Sequence, residues 1–324
     1  MKIIVTGAAG FIGGHTVLEL QKQGHEVLAL DNRDSILFPQ IKVIKCDILS
    51  SKLKDYINEG DKILHLCAIP TVLANPRLIF RVNVEGTINL IQFAIEKKAE
   101  RIVMASSGAV YFGKRDIYPP IDETTPTQPN TYYGLSKVVG EQVLVMHEQE
   151  LPWIALRYGY VYGYGDKGAI SIWLKFLMTD KRPIIFWGKQ FVEMVYVEDI
   201  VQANIKALET EKGLNEVYNI GSGTAASLND IYNMCATLLN KYIEPLIKPL
   251  RPWDAPSFWF DIRKAMRNLG YSPKWTLTEG IKQEIKDFSD AQQLLKLKQD
   301  METWQKQMGY KKSWEKRMGV NKEE

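Results

Sequence analysis

Cysteine is scarce: Cys46, Cys67 and Cys235 are odd in number, far apart and form no CxxC pair. That pattern excludes a disulfide scaffold, a thiolate metal centre and a redox dithiol, and a reducing, cytoplasmic setting is expected. Histidine is equally sparse, and His15, His25, His65 and His147 show neither HxxxH nor HExxH spacing, so no metal site is expected. No unbroken apolar run approaches the roughly 18 residues of a membrane span, and residues 1–13 enter a strand pattern at once, without a charged, apolar and small-residue leader. Neither a membrane partner nor export is expected. Charge of one sign is missing too: 41 Lys and Arg stand against 38 Asp and Glu, a formal net charge of +3, which lacks the basic excess of a nucleic-acid partner.

What is present is the composition of a folded chain. The 324 residues are 45% hydrophobic and 24% charged, as in globular domains. At roughly 150 residues per domain they make one large or two joined domains with a buried core. The first two-thirds alternates short β-rich runs (2–6, 26–30, 42–46, 62–66, 101–105, 153–157) with helical stretches such as 11–23, 79–97 and 132–147. This alternation predicts an α/β, doubly wound parallel sheet of Rossmann type. Composition changes near Tyr160, with aromatic and Pro-rich stretches at 182–187 and 245–260, a strand-like run at 217–220 and a helix starting at Ser227. The expected organisation is a dinucleotide-binding domain over 1–159, with 193–221 returning to it, and a smaller, discontinuous C-terminal substrate domain over 160–192 and 222–288. A helical tail fills 289–324, where Leu294, Leu297, Met301, Trp304 and Met308 space a narrow apolar seam. The seam suits docking on its own domain or self-association.

Chemistry enters with Gly7, Gly10 and Gly13 in TGAAGFIGGH, directly after a strand and before a helix. Glycines let the backbone turn tightly and approach a pyrophosphate, whose charge the helix N-terminus favours. Asp31 closes the second strand 18 residues after Gly13, near the roughly 20 expected of a carboxylate that holds a ribose diol. It repels a 2′-phosphate, an effect that Arg33 offsets in part, so NAD is expected rather than NADP. Tyr133 and Lys137 lie four apart on one helix face, where the ammonium favours the ionised phenol. Ser107 ends a strand and can face the same crevice. Cys67 reads as a small buried hydrophobe rather than a nucleophile. Tyr158, Tyr160, Tyr162 and Tyr164 make an aromatic stretch suited either to stacking or to wall packing.

With these residues the chain resembles the extended short-chain dehydrogenase/reductase family, in its NAD-dependent nucleotide-sugar epimerase and dehydratase branch. The resemblance covers roughly 1–288 and rests on ordered motifs: TGAAGFIG, LALDN, CDI, HLCA, NVEGT, SSGAVYFG, YYGLSK with GE after it, LRYGYVYGYG, MVYVEDIVQANIKAL, VYNIGSG and RPWD. It implies Phe11 and Ile12 at the pyrophosphate, Asp31 and Asn32 at the adenosine ribose, and Asp47 and Ile48 around adenine. It further implies Leu66, Cys67, Ala68 and Asn83 along the cofactor, and Ser107, Tyr133 and Lys137 at the reacting carbon. Departures matter as well. Dehydratases of the family carry acidic residues where Gly108 and Ala109 stand, so elimination lacks its acid and base. Epimerases usually show Asn where this chain has Tyr160 and a diphosphate-binding Arg where it has Val192, while Arg251 in RPWD matches a family phosphate-binding arginine.

The expected function is NAD-dependent epimerisation of a nucleotide-linked sugar, resembling the 4-epimerases. NAD stays tightly bound and is recycled, and Tyr133 takes the hydroxyl proton while Ser107 holds the oxygen. Tyr160 and Arg251 are the expected substrate contacts, and a homodimer is expected. The alternative is an NAD-dependent sugar or secondary-alcohol dehydrogenase that releases NADH through the same residues. A non-catalytic NAD-binding protein would most simply have lost Tyr133 or Lys137, and both are present.

Overall fold

The computed structural model describes residues 2–289 apart from 72, 114–117, 252–253 and 255–256. The apolar seam from Leu294 to Met308 lies outside the described residues.

The apolar runs near the N-terminus form β1 (Lys2–Thr6), which leads through α1 (Phe11–Lys22) to β2 (Glu26–Asp31) and the short β3 (Ile44–Lys45). The strand expected over 42–46 thus pairs at only two residues. β4 (Lys62–His65) is followed by α2 (Pro76–Phe80), a π-helical turn (Arg81–Glu85) and α3 (Gly86–Glu96). This helical stretch starts three residues before the expected 79, because Asn75 caps it by accepting from the Arg77 N–H and Pro76 suits the first position. Next come β5 (Arg101–Ser107), α4 (Tyr132–Met146) and β6 (Trp153–Tyr158). The remainder holds β7 (Tyr160–Tyr162), α5 (Ala169–Met178), β8 (Ile184–Phe186), β9 (Phe191–Val192), β10 (Met194–Tyr196) and α6 (Val197–Glu209). It closes with β11 (Glu216–Ile220), β12 (Ala226–Ser227), α7 (Leu228–Leu238), β13 (Leu246–Lys248), α8 (Arg263–Leu269) and α9 (Leu277–Phe288).

Seven parallel strands form one sheet in the order β11-β6-β5-β4-β1-β2-β3. The chain builds outward from β1 in one direction, then returns to β4 and builds in the other. The crevice at the carboxyl ends of β1 and β4 is therefore the point where a parallel sheet takes its ligand. Side chains along β1 alternate between faces: Ile3 and Val5 join α1 residues Val17 and Leu20 and α6 residues Ile200 and Leu208, whereas Ile4 joins Leu90 and Ile91 of α3 and Leu144 of α4. Burying each such side chain contributes about 1.5–3 kcal/mol, which fixes strand register and with it the loop ends that carry the chemistry.

The stretch Pro76–Glu96 is long and apolar enough to cross a membrane by length and composition, and Ile79, Leu90, Ile91 and Ala94 within it are buried in the core. A third apolar cluster gathers Tyr162, Trp173, Leu174, Ile185, Val192, Ile231, Tyr232 and Ile281 into a smaller lobe. Residues 258–271, read from sequence as part of that lobe, instead place Phe258, Phe260, Ile262, Ala265, Leu269 and Tyr271 in the cluster against the large sheet. A bridge from Phe258 to Val192 joins the two lobes, and one from Phe260 to Ile121 holds this segment on the large lobe.

Candidate active site

The glycine turn after β1 is closed on itself and on β4. Gly7 has φ +76°, and a Cβ there would stand 2.7 Å from the Cys67 backbone nitrogen; one on Gly13 would stand 2.2 Å from the Gly7 carbonyl oxygen. Only hydrogen fits at either place. Gly10 is the N-cap of α1, no side chain caps that helix, and Phe11, Ile12 and Gly13 form its first turn. Such an uncapped turn presents backbone N–H donors to an anion. Asp31 is buried at the end of β2, where Oδ2 accepts from the Ala9 N–H at 3.1 Å and Oδ1 from the Arg33 N–H at 3.0 Å. The carboxylate thus ties strand end to glycine turn. Asn32, Arg33 and Asp47 are exposed beside it.

Leu66, Cys67 and Ala68 follow β4 as half-buried residues. Cys67 is the electrostatic midpoint of the crevice, feeling Asp31, Lys137, Asp47 and Arg33, and burial pushes its thiol up to about 12. It is no thiolate at neutral pH. Ile48 and Asn83 are both buried. Ile48 packs into the gap left by Gly86, where a Cβ would come within 2.6 Å of it. Asn83, buried in the π-helical turn, accepts from the Ile69 N–H at 2.8 Å and donates to the Ile69 carbonyl at 3.3 Å and to the Ser136 hydroxyl at 3.0 Å. Its amide ties the 66–69 run to α4.

The same run is braced from below by His65. The Thr87 hydroxyl donates to the Asn83 carbonyl, so His65 Nε2 donates to Thr87 Oγ at 2.9 Å and Nδ1 accepts from the Thr6 hydroxyl at 2.7 Å. Burial, with Lys137 nearby, holds this imidazole down to about 3 and neutral.

At the carboxyl end of β5 the Ser107 hydroxyl shares a hydrogen bond with the Tyr133 phenol and accepts from the Ala109 N–H at 3.2 Å. Thr131 caps α4 by accepting from the Gly134 N–H, which starts the helix so that Tyr133 falls in its first turn. One turn on, Lys137 Nζ donates to the Ala105 carbonyl at 2.8 Å and stands 5.9 Å from the Tyr133 ring centroid. The expectation that Lys137 lowers the phenol needs correction: burial raises Tyr133, and the Ser107 hydrogen bond opposes it. Burial also lowers Lys137 to about 8. Desolvation outweighs the lysine's field at that separation.

On the substrate side, Tyr160 is half-buried between Phe112 at 6.0 Å and Phe258 at 5.9 Å between ring centroids. Burial raises its phenol, and Asp254 and Arg251 act on it. The Arg251 guanidinium lies 4.5 Å over the Phe186 ring and donates to both oxygens of Asp254, at 2.7 and 2.8 Å. Val192 points into the small lobe's core and is buried. Gly108 explains the missing acid: a Cβ there would come within 2.4 Å of the Phe258 ring, so Phe258 occupies that space.

Several buried carboxylates escaped the sequence reading, Glu141 and Glu193 among them. Glu141 on α4 pairs with Arg157 on β6, with Nε at 2.9 Å and Nη2 at 2.6 Å. Glu193, between β9 and β10, accepts from the Gly223 N–H at 2.6 Å and the Phe260 N–H at 3.3 Å, and burial lifts it to about 7. The GE that follows YYGLSK was the available signal for Glu141; Glu193 left none.

The profile of the NAD dependent epimerase/dehydratase family matches residues 3–221. A Methanocaldococcus jannaschii protein that carries UDP-glucose 4-epimerase as a provisional name is 34% identical over 300 residues, which span 87% of this chain and 97% of that protein. The Thermotoga maritima UDP-glucose 4-epimerase, solved with UDP-glucose, is 30% identical with a TM-score of 0.83, covering 89% of this chain and 98% of that one. The Bacillus cereus UDP-glucuronic acid 4-epimerase, solved with UDP-glucuronic acid and NAD, is 28% identical with a TM-score of 0.83, covering 92% of this chain and 100% of that one. Sheet order, glycine turn, Asp31 and the Ser107, Tyr133 and Lys137 group agree with the profile match over most of the chain, which therefore belongs to the NAD-dependent epimerase/dehydratase family.

Proposed function

We propose that this member of the family is a 4-epimerase of a UDP-linked hexose or hexuronate. The observation that carries the reading is the group at the end of β5, with Ser107 on the Tyr133 phenol, Lys137 behind it, and Gly108 and Ala109 where an eliminating enzyme needs an acid. Gly7, Gly10, Phe11, Ile12 and Gly13 would take the pyrophosphate of NAD. Asp31, Asn32 and Arg33 would take the ribose, Asp47 the adenine edge, and Leu66, Cys67, Ala68, Tyr133 and Lys137 the nicotinamide half. The fit of this crevice to a dinucleotide rests on the sterically closed Gly7 and Gly13 and on the uncapped first turn of α1. Bound there, NAD supplies a reversible hydride acceptor and a positive charge.

The remaining work falls to the chain's own side chains. Ser107 holds the C4 oxygen by a hydrogen bond. Tyr133 accepts the hydroxyl proton as the alcohol becomes a ketone and returns it when the carbon is reduced on its other face. Burial alone keeps the phenol protonated at neutral pH, so positive charge beside it must draw the proton off. The keto sugar has to turn between the two half-reactions. Phe112 and Tyr160, backed by the buried Phe258, form a wall that grips by contact area and imposes few directed bonds, which suits a sugar that rotates. Arg251 would meet the diphosphate, sharing its guanidinium with Asp254.

A net dehydrogenase is the second reading, favoured by Val192, which puts no second arginine at the diphosphate. Incubation with UDP-glucose and UDP-glucuronate separates the two. C4 epimers without NADH release support the proposal, whereas stoichiometric NADH supports the dehydrogenase.

A further inference from the structure

Glu141 lies one turn after Lys137 and two turns after Tyr133 on α4, buried to 3% exposure. Its carboxylate accepts from the hydroxyl of Ser106, the residue before Ser107, and from the Nε and Nη2 groups of Arg157 on β6. Arg157, itself buried, gives its third arm to the Tyr111 hydroxyl, and that hydroxyl donates to Asn219 Oδ1 on β11 at 3.1 Å. Glu141 thus joins α4 to β5 and β6, and through Arg157 and Tyr111 to β11, behind the reacting group. Buried ion pairs are generally no more stabilising than apolar groups of the same volume, so stability alone does not account for this one.

We propose that Glu141 is a positioning residue for the reaction: through Ser106 and Arg157 it fixes the helical turn bearing Tyr133 and Lys137 against the strand end bearing Ser107. The inference rests on the epimerase reading and deepens it. It has an electrostatic side as well. The groups that face Lys137 are Tyr133 and Glu141 on its own helix, His65 on β4 and Cys67 in the following loop. Near neutrality the imidazole and the thiol are both uncharged. The Glu141 carboxylate is then the charge that opposes desolvation and keeps Lys137 an ammonium beside the phenol.

The test labels lysine with carbon-13 at Cε, assigns Lys137 by its loss in Lys137→Arg, and follows its titration alongside steady-state kinetics of the full chain. Glu141→Gln should lower the Lys137 midpoint by about half a pH unit or more, whereas Arg157→Lys, which loosens the packing but keeps a cation on the Glu141 carboxylate, should leave it within about 0.2 of a pH unit of the parent. Loosened packing alone would move both variants the same way. In Glu141→Gln, kcat should fall about tenfold or more with KM within about threefold of the parent. Ser106→Ala, which removes a single hydroxyl, should lower kcat about threefold at unchanged KM, and it carries the test should the Gln variant not fold. An unmoved Lys137 midpoint in Glu141→Gln, a comparable shift in Arg157→Lys, or parental kcat in Ser106→Ala would overturn the proposal. Failure of the parent to turn over any UDP-sugar would instead defeat the epimerase reading, and the titration would still report on Glu141.

Discussion

Asp31→Asn separates two roles that one carboxylate now combines. In the parent, Oδ2 and Oδ1 accept from the Ala9 and Arg33 N–H groups at 3.1 and 3.0 Å, so the side chain is part of the glycine turn before any ligand arrives. Asparagine keeps one acceptor oxygen for two donors, and the loss of one such bond costs about 1 kcal/mol, a fall of a few degrees in Tm. Binding should suffer more. Losing the charge-assisted contact to the ribose diol costs about 1.5–3 kcal/mol, a rise of roughly 10- to 150-fold in the Kd for NAD. NADP should lose little, because repulsion of its 2′-phosphate disappears. Arg33, whose Nε is 3.4 Å from Asp31 Oδ1, can then turn to that phosphate, although its 71% side-chain exposure keeps the gain small. Calorimetric titration with each cofactor, beside a thermal melt without either, reads all three effects. NAD affinity within about twofold of the parent, with the preference over NADP intact, would refute the ribose role of Asp31.

Tyr133→Phe keeps the ring's packing and removes the proton acceptor, so turnover should drop by at least about 100-fold while calorimetry finds NAD binding unchanged; activity within tenfold of the parent would exclude the phenol from the mechanism. Arg251→Ala should weaken competition by UDP about ten- to a hundredfold, and no change in the inhibition constant would detach Arg251 from the diphosphate. Glu284 is fully buried on α9, its Oε2 has no hydrogen-bond partner among the described residues, and burial raises it to about 8. Its folded-state value lies above the unfolded one. The stability it contributes is therefore complete below about pH 4.5 and is lost as pH climbs through 8, at up to ~1.4 kcal/mol per pH unit. Tm of the parent should accordingly fall between pH 6 and pH 9, and Glu284→Gln should flatten that fall; an equal slope in both proteins would show that Glu284 does not titrate there.

What the sequence made legible was local. The glycine spacing, the acidic end of β2 and the Tyr133 and Lys137 pair are all set within a few residues or a single βαβ unit, and periodicity placed the strands around them. Arg251 could be matched to RPWD, but its pairing with Asp254 and its seat on Phe186 depend on folding. Asn83 was legible as a position but not in its bonding. A motif put it along the cofactor, while its amide bonds with Ile69 and Ser136 arise from a π-helical turn that no pattern announces. Val192 reads as a substrate-facing position until β9 turns it inward. Phe258, 150 residues from Gly108, fills the space beside it, and only the tertiary fold could reveal that exclusion. Buried carboxylates such as Glu141 and Glu193 look like surface residues in a sequence, because their partners lie on other strands.

The central claim is that hydrogen leaves C4 and returns to it within one active site. Whichever UDP-sugar turns over should be prepared with deuterium at C4 and incubated with protein desalted without added NAD, and the products read by NMR. The account predicts a C4 epimer that keeps its deuterium, with NADH never exceeding the enzyme concentration. Washout of the label to solvent, or its appearance in free NADH beside a ketone product, would contradict it.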